Sequence, residues 1–112
     1  MTARRTTGPV RGSRTGRPVM ALLDLLGRRW TLRVLWELRE GPLTFRALRA
    51  ACGDISPSVL NARLRDLREA GLVEATDDEG YRPTALAHEL GEILVPLDAW
   101  SKRWARRRGR GA

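Results

Sequence analysis

The stretch ISPSVLNARLRDLREAGLV, residues 55–73, has the features of a helix with a defined start and a single apolar face. Ser56 can accept hydrogen bonds from the free amides of the first turn, and Pro57 lacks the amide that would be unpaired there. Gly71 is placed to end the helix. The apolar face consists of Leu60, Leu64 and Leu67. The stretch therefore predicts an amphipathic helix whose other face is polar and exposed.

Three short helices are predicted before this stretch. Apolar residues at helical spacing indicate a first helix over residues 18–26. Thr31 is placed to cap a second helix, which ends at the Gly-Pro pair of residues 41–42. Thr44 is placed to cap a third, two-turn helix that ends at the Cys-Gly pair of residues 52–53. These three helices can cover the leucine face of the fourth.

A small hairpin and a long helix are predicted after the fourth helix. Residues 72–76 alternate between apolar and polar like a strand, and residues 77–80 form a turn. Residues 81–84 offer a second strand, which Pro83 weakens because it cannot donate a hydrogen bond. The last helix carries a heptad-like seam of Leu86, Leu90, Ile93, Leu97, Trp100 and Trp104. This order predicts a mainly α fold with a small β-hairpin, a winged helix-turn-helix that presents its fourth helix to the major groove of DNA.

Positive charge is concentrated at the two ends of the chain. The formal net charge is +8 over 112 residues, which is the length of one domain. Residues 1–17 and 102–112 together carry +11, whereas residues 18–101 carry −3. We therefore predict a disordered basic arm over 1–17, a winged helix-turn-helix domain over 18–104 with dimerisation helices at both ends, and a basic C-terminal tail over 105–112.

Several functional classes are disfavoured by composition. The longest apolar run, residues 18–26, is far shorter than the about 20 residues of a membrane span, and no secretory cleavage site follows it. A single cysteine fits a cytoplasmic protein without disulfides. Cys52 and His88 have no identifiable catalytic partners, so we expect no enzyme, no metal and no cofactor. Cys52, Trp30 and Trp36 are predicted to lie in the core.

The chain resembles the HxlR-type helix-turn-helix transcriptional regulators, which are related to the MarR regulators. The resemblance covers about residues 18–104, and three of its most specific motifs are GRRWT at 27–31, GPLTFRALR at 41–49 and the stretch 55–73. The fourth is a closing helix with a proline in its middle. The resemblance implies a bacterial regulator that binds operator DNA as a homodimer through contacts of its first and last helices.

This sequence departs from the family pattern at three places. Several members sense oxidants or electrophiles through a cysteine just before the proline that opens the first helix, where this chain has Arg17, so redox sensing is not carried over. The outer face of the fourth helix has Ser58 and Ala62 where basic or amide side chains are usual. The wing is short and contains Pro83. No ligand motif is visible, so the small-molecule effector is unknown.

Double-stranded DNA is the predicted partner of the fourth helix. Ser58, Asn61 and Arg65 carry groups suited to reading base edges, while Ser56 fixes the start of the helix. Arg46 and Arg63 are predicted to contact phosphates, and Arg82 is the one predicted backbone contact of the wing. The acids of residues 77–79 would be repelled by phosphates, so the wing tip is not expected to enter the minor groove. The alternative is an ordinary solvated polar face.

A homodimer is predicted from the apolar residues of the terminal helices. The expected interface consists of Val19, Leu22, Leu23, Leu90, Ile93, Leu97, Trp100 and Trp104. A two-fold protein matches a palindromic operator. The alternative is that the seam covers the core of its own domain.

Two other functions stay open at the level of the sequence. The arginine-rich ends could bind DNA without regard to its sequence, with the domain serving only to dimerise. The fold could also be a protein-interaction module in which Glu69 and the acidic wing face a protein partner. The salt dependence of DNA affinity and the ratio of specific to nonspecific affinity separate the first alternative from operator binding. Absence of DNA binding would favour the second.

Overall fold

The computed structural model describes residues 17–111, and this region contains five helices and three strands. In chain order they are α1 (Pro18–Leu26), α2 (Thr31–Glu37), β1 (Leu43–Thr44), α3 (Phe45–Ala51), α4 (Pro57–Glu69), β2 (Val73–Ala75), β3 (Gly80–Pro83) and α5 (Ala85–Gly111). The predicted fold class, mainly α with a small sheet, is confirmed. The predicted basic arm lies outside the described residues, apart from Arg17.

Two of the three predicted helix caps are confirmed. The Thr44 hydroxyl accepts from the Ala47 amide at 3.1 Å, and the Ser56 hydroxyl accepts from the Val59 amide at 3.3 Å. The prediction that Thr31 caps α2 is wrong. Thr31 is the first residue of the helix and is fully buried, while Trp30 precedes it with a left-handed φ of 78°. This tight turn from α1 into α2 directs Thr31 into the core instead of across the helix end.

The sheet has three strands in the order β1-β3-β2, not the two that the sequence predicted. Strand β1 pairs antiparallel with β3, and Leu43 lies opposite Tyr81. Because β1 is only two residues long, it has no alternation that a sequence pattern could reveal. Gly80 allows the close approach of the strands, since a Cβ there would lie 3.0 Å from the Leu43 carbonyl oxygen. The wing is thereby attached to the segment that leads into α3.

The core lies between α2, α3, α4 and the start of β2. The predicted inner face of α4 is confirmed, because its three leucines are buried. They pack in one cluster with Val34, Leu35, Leu38, Leu48, Cys52, Ile55, Leu72, Val73 and Ala87. Trp30 packs against this cluster and is half-buried. The core prediction for Trp36 is wrong: its side chain is on the outside of α2, where the Arg39 guanidinium lies 4.0 Å from its ring centroid.

Helix α5 is a single helix of 27 residues that continues through Pro96. The sequence predicted a separate basic tail from residue 105, but residues 105–111 extend the helix. Alanine and arginine are good helix formers, and Arg108 lies over the Trp104 ring at 4.8 Å, which favours this extension. No helix within residues 17–111 combines the length and apolar character needed to cross a membrane.

Candidate nucleic-acid interface

The start of α4 is fixed by four local features. Ser56 caps the helix, and Ile55 just before it is buried with Leu60, as in a hydrophobic staple. The Arg49 Nε donates to the Ile55 carbonyl at 2.7 Å. The preceding turn uses left-handed backbone at Gly53. This role of Arg49 in holding the α3–α4 turn is a feature that the sequence pattern did not reveal.

The outer face of α4 carries three polar side chains close together. Ser58, Asn61 and Arg65 are all exposed. At 100° per residue they fall within about 60° of one another around the helix axis, and the centre of this group lies about 120° from that of the buried leucines. Within residues 17–111 these side chains make no hydrogen bond or ion pair. They are therefore available to an external partner that offers donors and acceptors.

Arg63 does not belong to this outer face. Its side chain is only 22% exposed, and its Nη1 lies 3.5 Å from the Asp66 carboxylate. Its Nε is buried without a hydrogen-bond partner in the described part of the chain. The helix angle places Arg63 about 160° from Arg65, so the two arginines point to opposite sides of α4. The predicted phosphate contact of Arg63 is therefore not supported by its position.

Asp66 connects α4 to the turn between α1 and α2. Its carboxylate pairs with two arginines: the Arg63 Nη1 lies 3.5 Å from one oxygen, and the Arg28 Nη1 lies 3.1 Å from the other. Arg28 reaches back to Asp24 of α1 at 3.4 Å. Burial lowers the pKa of Arg28, but the hydrogen bonds and charges of Asp66 and Asp24 more than offset this and raise it. This network holds α4 against α1 by ion pairs that are partly shielded from solvent.

Arg46 is the other exposed arginine of the helix-turn-helix that the sequence assigned to DNA. It lies on α3, and its side chain makes no hydrogen bond or ion pair with the rest of the described chain. A solvated arginine next to a recognition helix can contact a phosphate without losing an existing partner. Its position therefore agrees with the predicted role.

The wing carries one ion pair on its strands and an acidic tip. The Arg82 Nε lies 2.8 Å from the Glu74 carboxylate, across the β2–β3 register. The predicted backbone contact of Arg82 would therefore have to compete with Glu74. At the tip, the Thr76 hydroxyl accepts from the Gly80 amide at 2.9 Å and donates to Asp78 at 2.7 Å. That hydrogen bond from Thr76 lowers the pKa of Asp78, so the tip stays negative.

A shallow depression separates α4 from the wing. Its volume is about 430 Å³, and its lining includes Phe45, Asn61, Tyr81 and Glu79. Of the three exposed polar side chains on the outer face of α4, Asn61 is therefore the one that lies beside the wing. Glu79, which also lines the depression, adds negative charge that opposes entry of a phosphate.

The terminal helices expose a large amount of apolar surface. Among the predicted dimer residues, Val19, Leu23, Ile93, Leu97, Trp100 and Trp104 are exposed, and Ile93 reaches 67%. Trp100 and Trp104 stack with ring centroids 6.3 Å apart. Leu22 and Leu90 are half-buried, and Leu90 packs against the core of its own domain. Leu90 thus fits the alternative prediction, while the rest of the seam is open to a partner.

The end of α5 is strongly basic on its solvent side. Lys102 lies 3.3 Å from Asp98, and Arg103, Arg106 and Arg107 are exposed. No acid follows Asp98 in the sequence. This part of the helix can attract a polyanion whatever its sequence.

The lone cysteine and the titratable groups give no sign of reactive chemistry. Cys52 is fully buried at the end of α3, as predicted, and burial raises the pKa of its thiol. A raised thiol pKa disfavours the reactive thiolate. Over residues 17–111 no three side chains of the histidine, cysteine, aspartate and glutamate types come together as a metal site would require.

Comparison with known proteins agrees with the architecture. The family model of the HxlR-like helix-turn-helix matches residues 25–109. An uncharacterised HTH-type transcriptional regulator of Methanocaldococcus jannaschii is 28% identical over 90 residues, which cover 76% of this chain and 83% of that protein. An uncharacterised HTH-type transcriptional regulator of Bacillus subtilis, YvaP, is 29% identical over 86 residues, which cover 74% and 79%.

Solved structures show the same arrangement of elements. The quinone-bound YodB of Bacillus subtilis superposes with a TM-score of 0.72 at 27% identity, covering 78% of this chain and 98% of that one. A possible HxlR family transcriptional factor from Thermoplasma volcanium gives a TM-score of 0.68 at 28% identity, covering 80% and 86%.

Proposed function

The chain belongs to the HxlR-like helix-turn-helix family of transcriptional regulators, and we propose that it acts as a homodimer on a palindromic operator. The observation that carries this proposal is the outer face of α4. Three polar side chains lie together there, on a helix whose start is capped and whose opposite face is buried. Such a helix is the element that enters the major groove in helix-turn-helix proteins.

Each exposed side chain has a proposed role at the operator. Asn61 suits the paired donor and acceptor of adenine, Arg65 suits the two acceptors of guanine, and Ser58 can donate or accept. Arg46 binds a phosphate and fixes the register. Arg82 contributes a backbone contact only when it leaves Glu74. Arg63 is assigned to the network around Asp66 and not to DNA.

The proposed dimer uses α1 and α5. The exposed apolar residues of these helices would be covered by the same surface of a second copy, and a two-fold axis would then relate two copies of α4. The spacing of the half-sites on DNA follows from the separation of these helices, about one helical turn of DNA or a multiple of it. Dimerisation thereby accounts for apolar surface that a monomer would leave in water.

The test is selection of the full chain against a random duplex pool at about 0.15 M salt, where charges beyond about 8 Å are largely screened. We expect enrichment of an inverted repeat. The variant Arg65→Ala should lose this enrichment, because it removes a base-reading group. The matched control is Arg106→Ala, which removes the same charge from α5 and should still select the repeat. Equal behaviour of the two variants would contradict base reading by α4.

A second candidate function is supported by the basic end of α5. Exposed cations with no acid beyond Asp98 would bind any duplex by counterion release. In that case Arg106→Ala and Arg65→Ala would weaken binding equally, no sequence would be enriched, and affinity would fall steeply with salt. Absence of binding to any duplex would instead favour a protein-interaction module.

A further inference from the structure

Helix α5 separates its charges along its length. Residues 89–98 contain three acids and no base, whereas residues 102–111 contain one lysine, five arginines and no acid. The helix continues unbroken from the first group to the second. A helix with this distribution of charge can neutralise both groups by lying against a second copy that runs in the opposite direction.

Four charged side chains lie on one flank of the apolar seam. At 100° per residue, Glu89 and Arg107 have the same angle around the helix, about 60° from the centre of the seam. Arg103 and Glu92 follow on the same flank, at about 100° and 120°. All four are exposed, and within residues 17–111 none of them belongs to an ion pair. Since even Glu92 and Arg103 are about 16 Å apart along the axis, the four are available to charges of another molecule.

The other charges of α5 are paired or point elsewhere. Asp98 lies 3.3 Å from Lys102, and Arg108 covers a tryptophan ring of the seam. His88 and Arg106 are about 160° from the centre of the seam. That side of α5 lines a groove against α2 and does not face a copy that binds along the seam. The charged flank is therefore the part of α5 whose charges a second copy would meet.

The position of these charges on a single flank selects the direction of the second helix. When two identical helices related by a two-fold axis run antiparallel, the same flank of each meets, whereas in a parallel pair each flank meets the opposite one. The other flank of the seam carries Ala87 and Leu94, which face the core of their own domain. A parallel pair would therefore leave the four charges without partners and place the two basic ends side by side. An antiparallel pair brings the acids of one copy to the arginines of the other.

The two acid–arginine combinations share one centre with the seam. Glu89 and Arg107 are centred on residue 98, and Glu92 and Arg103 are centred between residues 97 and 98. The exposed part of the seam, Ile93–Trp104, has its middle between residues 98 and 99. One two-fold axis near residue 98 therefore pairs the charges and covers the apolar side chains at the same time.

We propose that α5 pairs antiparallel with α5 of a second copy about an axis near residue 98, with Glu89 and Glu92 of each copy bound to Arg107 and Arg103 of the other. The inference rests on the proposed homodimer and adds its direction and register, which an apolar seam alone leaves open. It also gives the basic end of α5 a partner inside the dimer. Two of its arginines face acids of the second copy and not phosphates of DNA.

The ion pairs are tested by charge reversal in the full chain, with the dimer Kd measured by sedimentation equilibrium without DNA at about 0.15 M salt. Arg107→Glu and Glu89→Arg each turn an attraction into a repulsion at two places in the dimer, so each should raise the Kd at least about tenfold. The double variant Glu89→Arg/Arg107→Glu restores opposite charges and should return within about threefold of the parent. The matched control Arg106→Glu makes the same charge change on the far side and should also stay within about threefold.

Salt separates charge repulsion from damage to the fold. At about 1 M salt the screening length falls to about 3 Å, so the parent and Arg107→Glu should then differ by less than about threefold in Kd. A tenfold difference that persists at this salt concentration would contradict ion pairing.

The direction of the helices is tested by cross-linking with a short bis-maleimide. A mixture of Glu89→Cys and Arg107→Cys chains should give a cross-linked dimer, because the two positions meet in the antiparallel pair. Each variant alone should give none, since identical positions lie about 27 Å apart along the axis. The parent chain, whose Cys52 is buried, is the control. A parallel pair would give the reverse result, in which each variant is linked to itself.

Three results would overturn the inference while leaving a dimer. They are an unchanged Kd in both single reversals, failure of the double reversal to restore the Kd, and cross-linking of either cysteine variant with itself. Failure of the proposed function has a different signature. A chain that stays monomeric overturns the homodimer and this inference with it, whereas a chain that dimerises through these pairs but selects no inverted repeat overturns only the operator function.

Discussion

Two arginines of α4, separated by one residue, have opposite environments. Arg65 is exposed and its side chain makes no hydrogen bond or ion pair within residues 17–111, whereas Arg63 is mostly buried beside Asp66. Ser56 and Ser58 form a similar pair: the first caps the helix, and the second is free. In both cases the residue type is the same and the position decides the role: the helix angle separates Arg63 from Arg65, while Ser56 precedes the first residue of α4 and Ser58 lies within its first turn. Some polar side chains of this segment therefore hold the helix in the fold, and others are free to contact a partner.

Replacing a buried leucine of α4 should give the largest effect on stability. Leu64→Ala removes a side chain that is 2% exposed and leaves a cavity, so we expect a loss of about 2–5 kcal/mol in the free energy of unfolding. Urea denaturation measures it. The control Ala62→Ser on the outer side should change stability by less than about 0.5 kcal/mol. A small loss in Leu64→Ala would show that the inner face is not packed as described.

Asp66→Asn should be the next largest change. It removes the carboxylate that Arg28 and Arg63 share, and since these side chains are still 17–27% exposed, we expect a loss of about 1–2 kcal/mol. Thermal denaturation at low and high salt provides the measurement. Glu74→Gln, which breaks an exposed pair with Arg82, is the control and should cost less than about 1 kcal/mol. Equal losses would mean that the Asp66 network contributes no more than a surface pair.

Ser56→Ala and Ser58→Ala remove the same hydroxyl group from a capping position and from a free position. Loss of the cap at Ser56 should cost about 1 kcal/mol, because the Val59 amide loses its acceptor. Ser58→Ala should leave stability within about 0.5 kcal/mol and lower operator affinity instead. Chemical denaturation and operator titration are needed for both variants. If the two variants lost the same stability, the assignment of the cap would fail.

The buried half of α4 was predictable because its determinants are local. The Ser-Pro start, the leucine spacing and the closing glycine all occur within one stretch, and all are confirmed. The positions of the Arg63 and Arg49 side chains were not predictable from the sequence. Arg63 pairs with Asp66, which also binds Arg28, and Arg49 donates to the Ile55 carbonyl. Which of several possible partners a long side chain contacts is determined only in the folded chain. Strand β1 was missed because a strand of two residues is too short to show an alternation of apolar and polar residues.

In α5, as in α4, the local features were predictable from the sequence and the contacts with distant segments were not. Its heptad spacing predicted a helix with an apolar seam, and the helix is confirmed. The spacing could not show that Leu90 turns toward its own core, because that depends on where α5 crosses the domain. Nor could it reveal the groove on the opposite side, which exists only when α2 and α5 are brought together.

The two sides of α4 are tested most directly by the DNA affinities of Arg65→Ala and Arg63→Ala, measured side by side at the same salt concentration on the selected repeat and on an unrelated duplex. We expect Arg65→Ala to lose about 1–3 kcal/mol of discrimination per reading contact and to keep the Tm of the parent. We expect Arg63→Ala to keep the ratio of its affinities for the two duplexes and to have a lower Tm. Loss of specificity in Arg63→Ala, with Arg65→Ala unaffected, would contradict the assignment of the two sides of α4.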